Sequence, residues 1–127
     1  MIVSVILILA SIVLGVAGEL LLKSGITQVG PLELDTVPRI VHTSATVITT
    51  PAIVVGFVCY GVAAVFWLLV LSRFDLSYAY PMLALMYVLV PLAARVFLNE
   101  SIPRGRWVGI MLVIIGVVIV ARYGPTD

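Results

Sequence analysis

Residues 2–22 read IVSVILILASIVLGVAGELLL, an apolar run with one ionisable side chain, Glu19. A helix needs about 20 such residues to cross the hydrocarbon of a bilayer, and this run has that length. Three more runs follow. They span about Ala52–Ser72, opened by Pro51 and ended by Arg73; about Tyr78–Leu98; and about Trp107–Ala121, closed by Arg122 and Gly124-Pro125. The runs are continuous rather than alternating, so a β-barrel does not fit. The expected fold is all-α and integral to the membrane: one four-helix transmembrane bundle over residues 1–127. Its helices should lie near 2–22, 52–72, 78–98 and 105–122.

Composition agrees. Of 127 residues, 63% are hydrophobic and 10% charged, and mean hydropathy is +1.29. A soluble domain carries roughly a quarter charged residues, so a soluble enzyme is excluded and no catalytic residues are sought. The net charge of +1 points to no nucleic-acid partner. Cys59 is the lone cysteine and lies in an apolar run, without Cys/His metal spacing; neither metal nor cofactor is expected. The first run lacks a basic segment before it, and Val16-Ala17-Gly18 leads into Glu19 and more apolar residues. It reads as a retained helix rather than a cleaved signal.

The links Arg73–Ser77 and Asn99–Arg106 are short, which makes successive helices antiparallel neighbours. Asp75 and Ser77 suit the cap of the third helix, and Ser101 with Pro103 the start of the fourth. The first link, Lys23–Thr50, is long. Its first half, with Gly30-Pro31, Glu33 and Asp35, reads as a solvated loop. In its second half Ile40, Val41, Ala45 and Ile48 recur at helical spacing among Arg39, His42 and Thr46. Two readings stand: an interfacial helix or a Thr-rich loop. His42 reads as a surface residue rather than a ligand. Lys23, Arg39, Arg95, Arg104 and Arg106 against Arg73 and Arg122 favour the first and third links in the cytoplasm and both termini outside.

Ionisable groups inside spans are costly and usually have a purpose. Glu19 shares a helical face with Ser11 and Gly15, and Gly18 sits beside it. Small residues let another helix or a ligand come close. A carboxyl group in such a poorly solvated place can exchange a proton for a cationic group, so Glu19 is the candidate for proton coupling and substrate binding. The alternative is an ordinary i,i+4 pair with Lys23. In the third run Tyr80, Ala84, Tyr87, Pro91 and Arg95 recur at helical spacing, joining two phenols, a kinking proline and a cation. Tyr80, Tyr87 and Arg95 are the further substrate-binding candidates; for Arg95 the alternative is snorkelling towards Glu100. Gly109 and Gly116, seven apart, mark a close-packing seam on the fourth helix, within the bundle or between protomers. Trp67 and Trp107 read as interfacial anchors.

Outside Gln28–Thr50, the chain resembles the small four-helix members of the drug/metabolite transporter superfamily. Ala17-Gly18-Glu19 with Leu22-Lys23, Ala79-Tyr80, Phe66-Trp67-Leu68-Leu69 and the run from Gly109 to Val117 resemble the small multidrug resistance branch. There a first-helix glutamate binds protons or a cation, and the fourth helix dimerises. Leu83 departs from that branch, which usually has a tryptophan at this point. Ala79-Tyr80-Pro81-Met82-Leu83-Ala84-Leu85, Leu92-Ala93-Ala94, Asn99-Glu100, Arg106-Trp107-Val108-Gly109 and Ile115-Gly116-Val117-Val118-Ile119 resemble a second branch. Its members are flippase subunits for aminoarabinose carried on undecaprenyl phosphate. Glu19 departs from that branch, where a neutral glutamine is common.

The second resemblance implies a flippase for an undecaprenyl phosphate-linked aminosugar in the bacterial inner membrane. The first implies a proton-coupled exporter of small cations, and a non-transporting partner subunit is a third reading. Four helices are too few to enclose a transport path, and transporters generally use two related halves. The chain has no internal repeat, so a homodimer, or a heterodimer with a related four-helix subunit, is expected, joined at Gly109 and Gly116. In the flippase reading Glu19 meets the sugar amine or a proton, Tyr80 and Tyr87 the sugar hydroxyls, and Arg95 the phosphate.

Overall fold

The computed structural model describes residues 2–32 and 34–124. Glu33 and Pro125 lie outside the described residues. The order is α1 (Ile2–Val29), α2 (Val37–Thr49), α3 (Pro51–Leu71), α4 (Leu76–Leu83), α5 (Met86–Phe97) and α6 (Arg104–Tyr123). No strand occurs among the described residues. α1, α3, the α4–α5 pair and α6 are long and apolar enough to cross a membrane.

Helix α1 runs past Leu22 to Val29. Lys23, Ser24 and Gly25 do not end it, because Gly25 is a contact point rather than a breaker. A side chain there would strike Ile53 of α3. The helix stops where it must: Gly30 takes a φ of +84° and Pro31 follows, a pairing that cannot continue a helix.

The Thr-rich half of the first link is helical, as α2. The hydroxyls of Thr46, Thr49 and Thr50 donate to the carbonyls of His42, Ala45 and Thr46, so they do not compete for the backbone elsewhere. Val37, Val41 and Ile48 are exposed and share one face. Arg39, His42, Thr43 and Thr46 line a cavity against Val29, Pro31 and Pro38. This two-sidedness is that of an interfacial helix.

The dominant packing is α1 on α3. Gly18 and Gly56 face one another at the crossing. A Cβ on Gly18 would lie 3.1 Å from the Gly56 carbonyl oxygen, so only glycine lets these backbones meet so closely. Ser11 adds an interhelical bond, its hydroxyl donating to the Ala63 carbonyl at 3.3 Å. Near the other end Ile8, Ile12, Val70 and Ala79 form the buried core, with Trp67, Met82 and Met86 packed around it.

The third span is broken. α4 ends at Leu83 and α5 begins at Met86. Across the break the N–H groups of Ala84, Leu85 and Tyr87 donate to the carbonyls of Pro81, Met82 and Ala84, three residues back. The sequence places the kink at Pro91, yet α5 passes through it. Pro81 and Pro91 each remove a helical donor, and the chain yields between them with one tighter turn. Asp75 takes the N-cap position of α4; for α6 that position is Pro103 rather than Ser101.

Helix α6 packs on α4 and α5, burying Ile110 and Val117. Its other faces are open: Val108, Leu112, Ile115 and Ile119 are exposed.

Candidate functional site

The glycine face of α1 is taken up by helices, and that leaves Glu19 between them. Met86 of α5 sits over Gly15, and α3 covers Gly18. Glu19, beside Gly18 and one turn after Gly15, is half-buried. The Tyr60 hydroxyl of α3 donates to Glu19 Oε1. The i,i+4 alternative is not what forms: Lys23 Nζ lies 4.0 Å from Glu100 Oε1 instead.

Glu19 forms one wall of a cleft of about 500 Å³. Tyr80 and Tyr87 line it, with Leu83, Ala84, Val90 and Pro91 between and beyond them. The broken turn at Ala84–Leu85 is therefore part of the wall. Tyr80 is 59% and Tyr87 72% exposed, so the cleft opens sideways, away from the body of the protomer. Trp67 of α3 meets Tyr80 edge to face, with ring centres 5.7 Å apart. That geometry holds Tyr80 at the rim.

Three of the four expected binding residues thus share one cleft. Arg95 stands apart. It lies two turns beyond Tyr87, about 12 Å along the helix, and lines a separate space with Asn99, Glu100, Ser101 and Ile102. Its guanidinium stacks 5.7 Å from the ring centre of Trp107, a cation–π contact that ties α5 to α6. The stripe is divided beyond Pro91, on α5 itself, where Arg95 lies further along the helix and turns to Trp107 of α6.

Gly109 and Gly116 have no other atom near the place a Cβ would occupy. The seam is therefore unused within the protomer. Among the described residues no cluster of His, Cys, Asp and Glu forms a metal-binding set. Sequence reasoning missed Tyr60, and Trp67 read as an anchor. One signal was available for Tyr60: it carries a polar hydroxyl inside an apolar span, one turn after Gly56.

A model of the EamA-like transporter family matches residues 1–122. The chain belongs to that family. As an EamA-like protein with four helices able to span a bilayer, it is a multi-pass membrane protein. Among curated proteins it is similar to the probable 4-amino-4-deoxy-L-arabinose-phosphoundecaprenol flippase subunit ArnE of Pseudomonas syringae pv. syringae. The two are 46% identical over 59 residues, 46% of this chain and 55% of that relative. The subunits of the same description from Salmonella paratyphi B and Salmonella typhimurium are 44% identical over 64 residues, 50% of this chain and 58% of theirs. The chain spans about half the length of the curated relatives it matches. No solved structure matches it.

Proposed function

We propose that this EamA-like chain is a flippase subunit that translocates an undecaprenyl phosphate-linked aminosugar across the bacterial inner membrane. One observation carries the reading: a laterally open cleft sets a carboxyl group, Glu19, beside two exposed phenols, Tyr80 and Tyr87. The lateral opening suits a polyprenyl-linked sugar, because its tail belongs in lipid and only its head must be shielded. The likeness to the ArnE subunits supports the same substrate class.

In this reading Glu19 receives the sugar amine or a coupling proton, and the Tyr80 and Tyr87 hydroxyls meet the sugar. Arg95, at the link end of α5, meets the phosphate as a charge-assisted pair. No covalent step is involved, so the chain works as a carrier rather than an enzyme. The cleft of one protomer is one half of the transport path. The other half comes from a second four-helix subunit, identical or related, seated on the open seam of Gly109 and Gly116.

The Glu19–Tyr60 bond favours a second reading, a proton-coupled exporter of small cations, because it holds a carboxyl group ready inside the span. Thermal stabilisation of the purified protein separates these. The flippase reading expects undecaprenyl phosphate-aminoarabinose to raise the midpoint and a quaternary ammonium not to. Glu19→Gln should remove that rise. The reverse ligand preference establishes the exporter. Stabilisation by neither ligand leaves a partner subunit and sinks both transport readings for the isolated chain.

A further inference from the structure

Glu19 also opens onto a second, smaller space of about 200 Å³. Glu19 and Val90 line both cavities. Past them the smaller one runs between Leu20 on α1 and Ala94 on α5 with Leu98 at its C-cap, and it ends at Lys23 and Glu100. Lys23 is one helical turn beyond Glu19, about 6 Å along the axis. The route from the carboxyl group to the link end of the bundle is therefore short, and an ion pair stands at its mouth.

The backbone puts Glu100 there. Asn99 takes a φ of 55°, a left-handed conformation that asparagine tolerates better than most residues. The chain folds back, so that the N–H groups of Leu98 and Glu100 both donate to the Ala94 carbonyl, at 2.9 and 3.3 Å. Glu100 thereby reaches across to α1 and meets Lys23 at 4.0 Å. The two side chains are 60% and 47% exposed, and exposed ion pairs contribute little to stability. Such a pair closes a mouth without sealing it for good. At its other end α5 begins at the tighter turn of Ala84–Leu85, where helical bonding changes pattern. Arg95 on Trp107 ties this end of α5 to α6. Toward α1 it is held only by the weak ionic contact, so α5 can turn away from α1 together with α6 about the weak joint at its start.

We propose that Lys23 and Glu100 form a latch on α5 that closes the link-end mouth of a water path to Glu19. The path opens when α5 turns about Ala84–Leu85. The latch makes access to Glu19 from the link side conditional, while the lateral cleft stays open to the bilayer. The inference rests on Glu19 being the exchange site of the proposed transporter.

The test replaces Cys59 with serine, adds Ala94→Cys as a reporter inside the smaller cavity, and reconstitutes the protein in vesicles of both orientations. A membrane-impermeant methanethiosulfonate reagent is the probe. With the pair intact, labelling from the link side should be slow. Lys23→Gln and Glu100→Gln should each speed it by about twofold to fivefold, the shift in open population that an exposed ion pair can supply. The exchanged pair Lys23→Glu/Glu100→Lys should restore the slow rate. Equal rates with and without the pair, or fast labelling of the intact protein, overturn the latch. Should Ala94→Cys disturb folding, Leu20→Cys reports from the opposite wall. Labelling needs no substrate, so its failure is read separately from failure of the ligand-stabilisation experiment on Glu19.

Discussion

Glycine is used in opposite ways in the two halves of the molecule. Between α1 and α3, Gly18, Gly25 and Gly56 are filled contact points, each with a neighbouring atom close to the place a Cβ would take. On α6, Gly109 and Gly116 meet nothing. The first half is a closed pair of helices. The second is a broken span with a loosely attached helix beside it. The site lies along the boundary, with Glu19 and Tyr60 on the closed side and Tyr80 and Tyr87 on the open one. A rigid half that holds the carboxyl group and a looser half that frames the cleft suit a carrier, whose site must keep its chemistry while its walls move.

The contrast can be broken most severely at its closed side. Gly18→Leu would drive a side chain into the Gly56 carbonyl and the Tyr60 ring, both at 3.1 Å from a Cβ. Overpacking of this kind should cost about 3 kcal/mol, read as a large fall in the thermal midpoint in detergent. A midpoint within a degree or two of the parent would mean that the helices do not cross there.

A smaller effect is expected at the boundary. Trp67→Ala removes the edge-to-face partner of Tyr80. About 1 kcal/mol of aromatic pairing should be lost beyond the buried area, and affinity at the cleft should fall severalfold while the secondary structure persists by circular dichroism. Unchanged affinity would show that Tyr80 needs no support from α3.

The smallest effect belongs to the open side. Gly109→Ala and Gly116→Ala should change protomer stability by less than about 1 kcal/mol, and upward if at all, since alanine is the better helix former. Leucine at both positions should leave the protomer folded but abolish cross-linking between subunits. Cross-linking that survives the leucines would move the proposed seam to another face.

Much of this was legible in the sequence. Length and apolarity mark four spans because lipid imposes one requirement on every residue of a spanning helix. Glu19 and Tyr80 stand out for the same reason, as polar groups where polarity is costly. What stayed hidden concerns faces. Spans that are apolar all round do not announce which side meets a neighbour. The one partner that periodicity offers Glu19 is Lys23 on its own helix, the alternative reading, whereas the bond it makes is with Tyr60 on another. Gly25 read as a helix end and proved to be a seat for Ile53. The break at Ala84–Leu85 was also beyond reach. Prolines show which bonds are missing, but the place where the chain bends depends on what packs around them.

The pairing of α1 with α3 has a consequence for how the protein is made. Both helices lie before Ser72, so their glycine contacts and the Ser11 bond need no residue from the second half of the chain. A nascent polypeptide can close this hairpin at the translocon before α4 has emerged. The later helices then arrive at a finished surface, with the carboxyl group of Glu19 already held by Tyr60. Vectorial synthesis would thus shelter the one acidic group of the spans as soon as α3 has joined α1, before the later helices arrive.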